Sequence, residues 1–408
     1  MRIIYLDQYF KTRDTAGGTR GYEFMRILSR FGHDIVVVTS DRTGDRKAAW
    51  RITNEDGIEV HWVSIAYSNK MSVRRRVVAF LRFAVMAAVR ASRIGGDIVF
   101  ATSTPLTIAL PAIWTSKRLG VPMVFEVRDL WPELPIAVGA LRNPISKMLA
   151  RRLERIAYRN SARIIALSPG MKDGVVRSGY PANLVHVIPN CSDIDFFRVP
   201  QEHGMRWRQE HPEIADRPVV MYAGTLGQIN GVSWLVRVAH AADGLAPGVC
   251  FVVVGDGRDR EKVEREAQEL GVLGKNFFLF PPVPKLAVPS LLSAATVCAS
   301  LFLDIREMWN NSANKFFDAL AAGRPLAINY EGWQAELLRE SSAGIVLPGG
   351  DVEGAARMLI SRVLDKDWLP QAGIEAGRLA ERYFDRNKLV NELNNVLESA
   401  RETGRNSS

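Results

Sequence analysis

Along the chain, short apolar runs alternate with longer stretches whose apolar positions recur every three or four residues. The runs RIIYL (2–6), DIVVVTS (34–40), DIVFATS (97–103), PMVFEV (122–127), ARIIALS (162–168) and LVHVIPN (184–190) read as strands. Between most of them lie helical patterns such as GYEFMRILSRFG, which ends at Gly32. Continuous apolar strands separated by helices predict a parallel sheet covered on both faces. Residues 190–218 show no sustained periodicity and are expected to be mostly linker. A second series follows at 218–224, 250–257, 276–282, 296–302, 324–329 and 344–348. The pattern predicts an α/β protein with two doubly wound, Rossmann-like domains, 1–195 and 196–385, and a helix at 386–408 packing back on the first. Ligands of such sheets sit at the carboxyl ends of the strands, so domains facing each other would place them in a cleft.

The segment MSVRRRVVAFLRFAVMAAVRASR (71–93) is a basic amphipathic helix by its spacing. Val77, Phe80, Leu81, Ala84, Val85 and Ala88 fall on one face, expected to pack inward, with Arg75, Arg82 and Arg93 opposite. Its apolar run is too short and too interrupted to span a bilayer. Charge is uneven across the 408 residues: residues 1–200 hold 30 Lys/Arg against 17 Asp/Glu, and residues 201–408 hold 23 against 27. Such a basic half seeks an anionic partner. With the arginine helix, an anionic membrane surface is the expected one, at the inner face of the plasma membrane. No nucleic-acid motif accompanies the charge, so nucleic acid is not expected. Cys191, Cys250 and Cys298 are dispersed, which argues against a disulfide framework or zinc site and for a reducing cytoplasm.

Five stretches bear on candidate chemistry. Gly17 and Gly18 follow the first strand and precede a helix, where backbone N–H groups can hold phosphate; a plain turn is the alternative. Gly255 and Gly257 lack the dinucleotide spacing, and Asp256 would repel a phosphate, so a structural turn is expected. Glu126, Arg128 and Asp129 end a buried strand, where charges need either internal partners or a substrate. Asp193 and Asp195 form a D-x-D string in the linker; they are expected to be solvated, with no bound divalent ion and no other cofactor. The stretch NSANKFFDALAAGRPLAIN (311–329) opens a helix with Asn314 and Lys315, with Asp318 one turn on. Free N–H groups and a lysine favour a diphosphate, and Asp318 can accept from a ribose diol, which together describe a nucleotide-sugar cradle.

Four stretches, AGGTRGYEFMRILSRFGHDIVVVT, VIPNCSDIDFF, YAGTLGQINGV and NSANKFFDALAAGRPLAIN, resemble the family-4 retaining glycosyltransferases of the GT-B fold. The similarity covers nearly the whole chain and is closest to bacterial members that build surface polysaccharides, such as O-antigen and capsule fucosaminyl transferases. It implies a nucleotide-diphosphate sugar as co-substrate, often UDP-linked, with an N-acetylated amino sugar as the candidate sugar. The expected acceptor is lipid-linked, of the polyprenyl diphosphate class. By the same resemblance Gly17, Gly18, Gly224 and Thr225 approach the donor phosphates, and Val283 belongs to the segment whose backbone reads the base. Lys315 matches a phosphate contact, and Asp318 stands where the family has its ribose-binding Glu. Departures also appear: Asn310 occupies the position of the family's other acid, with Glu307 nearby. Thr225 and Asn230 replace a common Arg and Lys, for which Arg306 and Lys315 are expected to compensate, and Arg128 aligns with the family's His. Asp129 is then expected to position the acceptor or assist with its proton, Arg128 to orient it or stabilise charge, and Glu126 to complete the set. An epimerase on the same plan, or a catalytically silent nucleotide-binding subunit, are the alternatives.

Overall fold

The computed structural model describes residues 1–12, 18–42, 49–68 and 71–405. It divides into two compact units: Met1–Pro189 with Asn387–Ser408, and Asn190–Arg386.

The first unit is built on β1 (Arg2–Leu6), β2 (Asp34–Asp41), β3 (Trp50–Glu55), β4 (Ile58–Ser64), β5 (Ile98–Thr102), β6 (Met123–Val127), β7 (Arg163–Ala166) and β8 (Val185–Val187). Their order is β3-β4-β2-β1-β5-β6-β7-β8, parallel except for the β3–β4 pair. The β3–β4 hairpin is absent from the sequence reading. Its strands are half polar, but Asp56-Gly57 is a turn signal: both residues have positive φ, 51° and 87°, as a tight hairpin requires. The helix Arg386–Arg405 belongs with this unit, burying Leu393, Val396 and Leu397 and reaching His33 through Asn394 (2.6 Å).

The helix Val73–Ile94 corrects the expected face. Its buried side chains are Ala79, Phe83, Ala84, Ala87, Ala88 and Ala91, while Val77, Leu81 and Val85 are exposed. Apolar residues occur all round this helix, so spacing alone could not choose the inner face. Packing chooses the alanine stripe, which lets helix Ala109–Leu119 lie close beside it.

The second unit holds β9 (Val219–Ala223), β10 (Cys250–Val254), β11 (Phe277–Phe280), β12 (Val297–Ser300), β13 (Leu326–Ile328) and β14 (Gly344–Val346), all parallel. The order β11-β10-β9-β12-β13-β14 is that of a doubly wound sheet, with chain direction across the sheet reversing between β9 and β12. The stretch expected to be linker is instead part of this unit. It forms helices Ile194–Phe197 and Gln201–Gln209 and buries Phe197 and Ile214. Helices of four and nine residues are too short to show a hydrophobic period.

Candidate functional site

Doubly wound sheets bind ligands where the strand order reverses, beyond the carboxyl ends of the strands. In the second unit that place lies between the loop after β9 and the loop leading from β12 to helix Asn314–Ala321. The polar residues crowding that helix start divide into two jobs. Asn311 and Ser312 build the loop: Asn311 Oδ1 accepts from Ala313 N (3.1 Å), and Ser312 Oγ accepts from Asn190 N (2.9 Å). The first helical turn has no side-chain cap, since its cap position is Ala313. Its N–H groups therefore present partial positive charge.

Lys315 lies beside them. Its ammonium sits 5.1 Å from the Tyr222 ring centroid and 5.0 Å from that of Phe302. With the Asn230 amide oriented to satisfy both of its ends, its oxygen accepts from Lys315 Nζ (3.2 Å) and its nitrogen donates to the Thr225 carbonyl (2.9 Å). No carboxylate pairs with Lys315 among the described residues. Burial pushes its pKa down to about 8. Gly224 makes room for this seat, since a Cβ there would stand 3.0 Å from Lys315 Cε. Gly255 makes room for Gly224: a Cβ at Gly255 would lie 1.9 Å from the Gly224 carbonyl oxygen. The Gly255 turn thus has a packing reason.

Asp318 is engaged already. Its Oδ1 accepts from Ser192 Oγ (2.7 Å) and its Oδ2 from Lys285 Nζ (3.0 Å). Lys285 also lies 4.7 Å from the Phe197 ring centroid. Sequence reasoning missed Lys285 and Ser192, which approach Asp318 from 33 and 126 residues away. Val283 lies in the loop after β11, two positions before Lys285. Thr225 is exposed, and its carbonyl accepts from Tyr222 Oη (2.8 Å). Arg306 and Glu307 are exposed at the start of the 3₁₀ helix Arg306–Asn310. Asp193 of the D-x-D string caps helix Ile194–Phe197 and pairs with Arg386 (3.0 Å), and Asp195 is exposed. Among the described residues no group of three or more His, Cys, Asp or Glu is placed to hold a metal.

The first unit gathers charge at its own reversal point, between β1 and β5. Glu126 is fully engaged: Oε1 accepts from Arg20 Nε (3.0 Å) and Oε2 from Thr102 Oγ1 (2.6 Å). Arg20 also donates to the Ile188 and Pro189 carbonyls (2.9 and 2.6 Å), tying the end of β8 to this pair. Burial raises the Glu126 pKa, but Arg20 and Arg128 outweigh it and leave the carboxyl below its usual range. Burial likewise opposes the charge of Arg128, and Asp7 and Glu126 outweigh it, so its pKa is raised. Asp7, at the end of β1, and Asp129 are both pushed up, chiefly by burial, with Arg128 pulling each back. Asp129 Oδ2 accepts from Thr104 Oγ1 (3.2 Å). Arg20 and Asp7 were not anticipated; each reveals itself only through partners far along the chain or across the sheet. Gly18 is exposed just before helix Arg20–Arg30, and Gly17 lies outside the described residues.

Comparison with known proteins places the chain among glycosyltransferases. Residues 15–191 match the family described as Glycosyl transferase 4-like domain, and residues 217–365 match Glycosyl transferases group 1. The chain is 24% identical to a colanic acid biosynthesis glycosyl transferase, WcaI, of Escherichia coli, over 97% of this chain and all of the relative. It is 25% identical to a glycosyltransferase of Pseudomonas aeruginosa, WbjE, over 75% of each. Among solved structures, Anabaena HepE in complex with UDP superposes with a TM-score of 0.70 at 17% identity, covering 98% of this chain and all of that one.

Proposed function

Because the chain belongs to the family-4 glycosyltransferases of the GT-B fold, we propose that it is a retaining enzyme whose second unit holds a nucleotide-diphosphate sugar around Lys315. The donor is UDP-linked in this reading, which the UDP bound to Anabaena HepE supports. The observation that carries the proposal is a half-buried lysine with no carboxylate partner among the described residues, beside an uncapped helix start. A diphosphate supplies the missing negative charge. Gly224 and Thr225 border its seat, Arg306 extends the cationic rim, and Asn314 adds a first-turn N–H. Each Asp318 oxygen keeps a second lone pair for the ribose hydroxyls, with Lys285 fixing the carboxylate and the Val283 backbone facing the base.

Transfer then breaks the anomeric C–O bond to the β-phosphate and forms a bond to the acceptor oxygen on the same face of the sugar. The acceptor proton passes to the departing phosphate oxygen. Lys315 and the helix N-terminus stabilise the charge that develops there, an electrostatic contribution of the kind that dominates many enzymes. In the first unit Asp129 positions the acceptor hydroxyl, and Arg128 holds Asp129 in place. Glu126, paired with Arg20 and bonded to Thr102, fixes the strand end that carries Arg128 and Asp129 in this reading. The acceptor in this reading is a lipid-linked glycan of the polyprenyl diphosphate class; its place in surface polysaccharide synthesis is supported by the colanic acid biosynthesis for which WcaI is named. The enzyme acts attached to the cytoplasmic face of the membrane.

A thermal-shift panel of nucleotide sugars tests the donor, followed by transfer assays in membranes. The reading requires that a UDP-linked sugar stabilise the protein and that Lys315→Met reduce the stabilisation at the same sugar concentration. Equal stabilisation of both proteins would remove Lys315 from the site.

A further inference from the structure

Large apolar side chains are exposed on three helices of the first unit. Val78, Leu81 and Val85 stand out on Val73–Ile94, Leu110 and Trp114 on Ala109–Leu119, and Ile145, Met148 and Leu149 on Pro144–Arg159. Trp114 is 60% exposed and Ile145 63%. Helix Ala109–Leu119 packs against both of the others, and all three bury their inner sides in one core cluster. Their outer sides therefore form one continuous layer.

That layer is cationic. Val73–Ile94 and Ala109–Leu119 contain no acid, and the single acid of Pro144–Arg159, Glu154, is buried. Lys147, Arg151, Arg152, Arg155 and Arg159 line a groove of about 670 Å³ along the outside of the last helix, with Met148 among them. Apolar tips interleaved with long basic side chains match a surface that is oily below and anionic above. A nucleic acid would meet the arginines but leave isoleucine, leucine and tryptophan in water.

We propose that this three-helix layer docks on an anionic phospholipid bilayer, with Pro144–Arg159 as the principal anchor. This deepens the membrane partner of the proposed function and rests on that reading. It also moves the main contact away from Val73–Ile94, where the sequence placed it. Ile145, Met148 and Leu149 enter the headgroup–acyl boundary, and the arginines bind lipid phosphates at the groove.

The test uses the full chain and vesicles of phosphatidylcholine, with or without an equal share of phosphatidylglycerol, in co-sedimentation without any donor. Binding to the anionic vesicles alone is expected, weakening steeply with salt. Substituting Ile145, Met148 and Leu149 together by Ser leaves the charge unchanged and should weaken binding at least about tenfold. Substituting Arg151, Arg152 and Arg155 together by Gln should weaken it on the order of a hundredfold. The equivalent Ser changes at Val78, Leu81 and Val85 should cost less. Preserved UDP affinity and thermal melting show that each variant is folded, and should the serine variant fail this check, the glutamine variant decides. Equal binding to both vesicle types, no binding to either, or serine and glutamine variants that bind as wild type would overturn the proposal. Vesicle binding without sugar transfer would leave the docking face standing and sink the enzymatic reading instead.

Discussion

The two units place charge at the same point of similar sheets and treat it in opposite ways. In the first, Asp7, Arg20, Glu126 and Arg128 neutralise one another at the ends of β1 and β6, with Thr102 donating to Glu126 and Thr104 to Asp129. In the second, Lys315 lies beside two aromatic rings with an amide oxygen in reach and no acid paired with it among the described residues. A closed charge network holds backbone in place, because removing any member strands another in a low-dielectric setting. An unbalanced cation is costly to bury and becomes favourable when an anion arrives. The first arrangement builds a rigid platform; the second leaves an unbalanced charge, which the proposed diphosphate would neutralise.

Breaking the platform should have the largest effect. Arg20→Met strands Glu126 and should destabilise the first unit by about 3–5 kcal/mol, read as a lower urea midpoint. UDP affinity should not change, and a large loss of it would show that the two networks are not separate. Next, Asp129→Asn should lower turnover by about a hundredfold in a membrane transfer assay while UDP titrates as before; unchanged turnover would take Asp129 out of the mechanism. On the other side of the comparison, Lys315→Met should weaken UDP binding by roughly tenfold to hundredfold. It should not lower the melting temperature, because it removes a half-buried charge that has no acidic partner among the described residues. Smallest is Lys285→Ala, which frees one oxygen of Asp318 and should reduce UDP affinity only about threefold to tenfold by calorimetry. A larger loss would mean that Lys285 itself meets the nucleotide.

All strands but β3 and β4 were readable because they are continuous apolar runs, and β9 to β14 all lie where those runs are. The β3–β4 hairpin was not, since alternation with Thr, Asn and Glu hides an edge strand among loop-like residues. The helix start at Lys315 was legible from local composition, and so was the strand end at Glu126. What those residues do was not. Whether Glu126 meets a substrate or a partner depends on Arg20, 106 residues away, and the freedom of Asp318 depends on Ser192 and Lys285. Local sequence shows which charges sit at a strand end; only the fold shows which are already neutralised. The inner face of Val73–Ile94 was misjudged for a related reason. A helix apolar on all sides takes its orientation from its neighbours.

The claim that Lys315 is the diphosphate's counter-charge is tested most directly by its titration. The pKa of Lys315 in the free protein is lowered to about 8, so the ammonium is present below that pH and is lost as pH rises through it. Calorimetric titration of UDP from pH 7 to pH 10 should therefore show affinity falling above pH 8, by at most about tenfold per pH unit, with proton uptake on binding. In Lys315→Met the affinity should be low and flat across the same range. An unchanged wild-type affinity up to pH 10, or the same decline in Lys315→Met, would contradict the account.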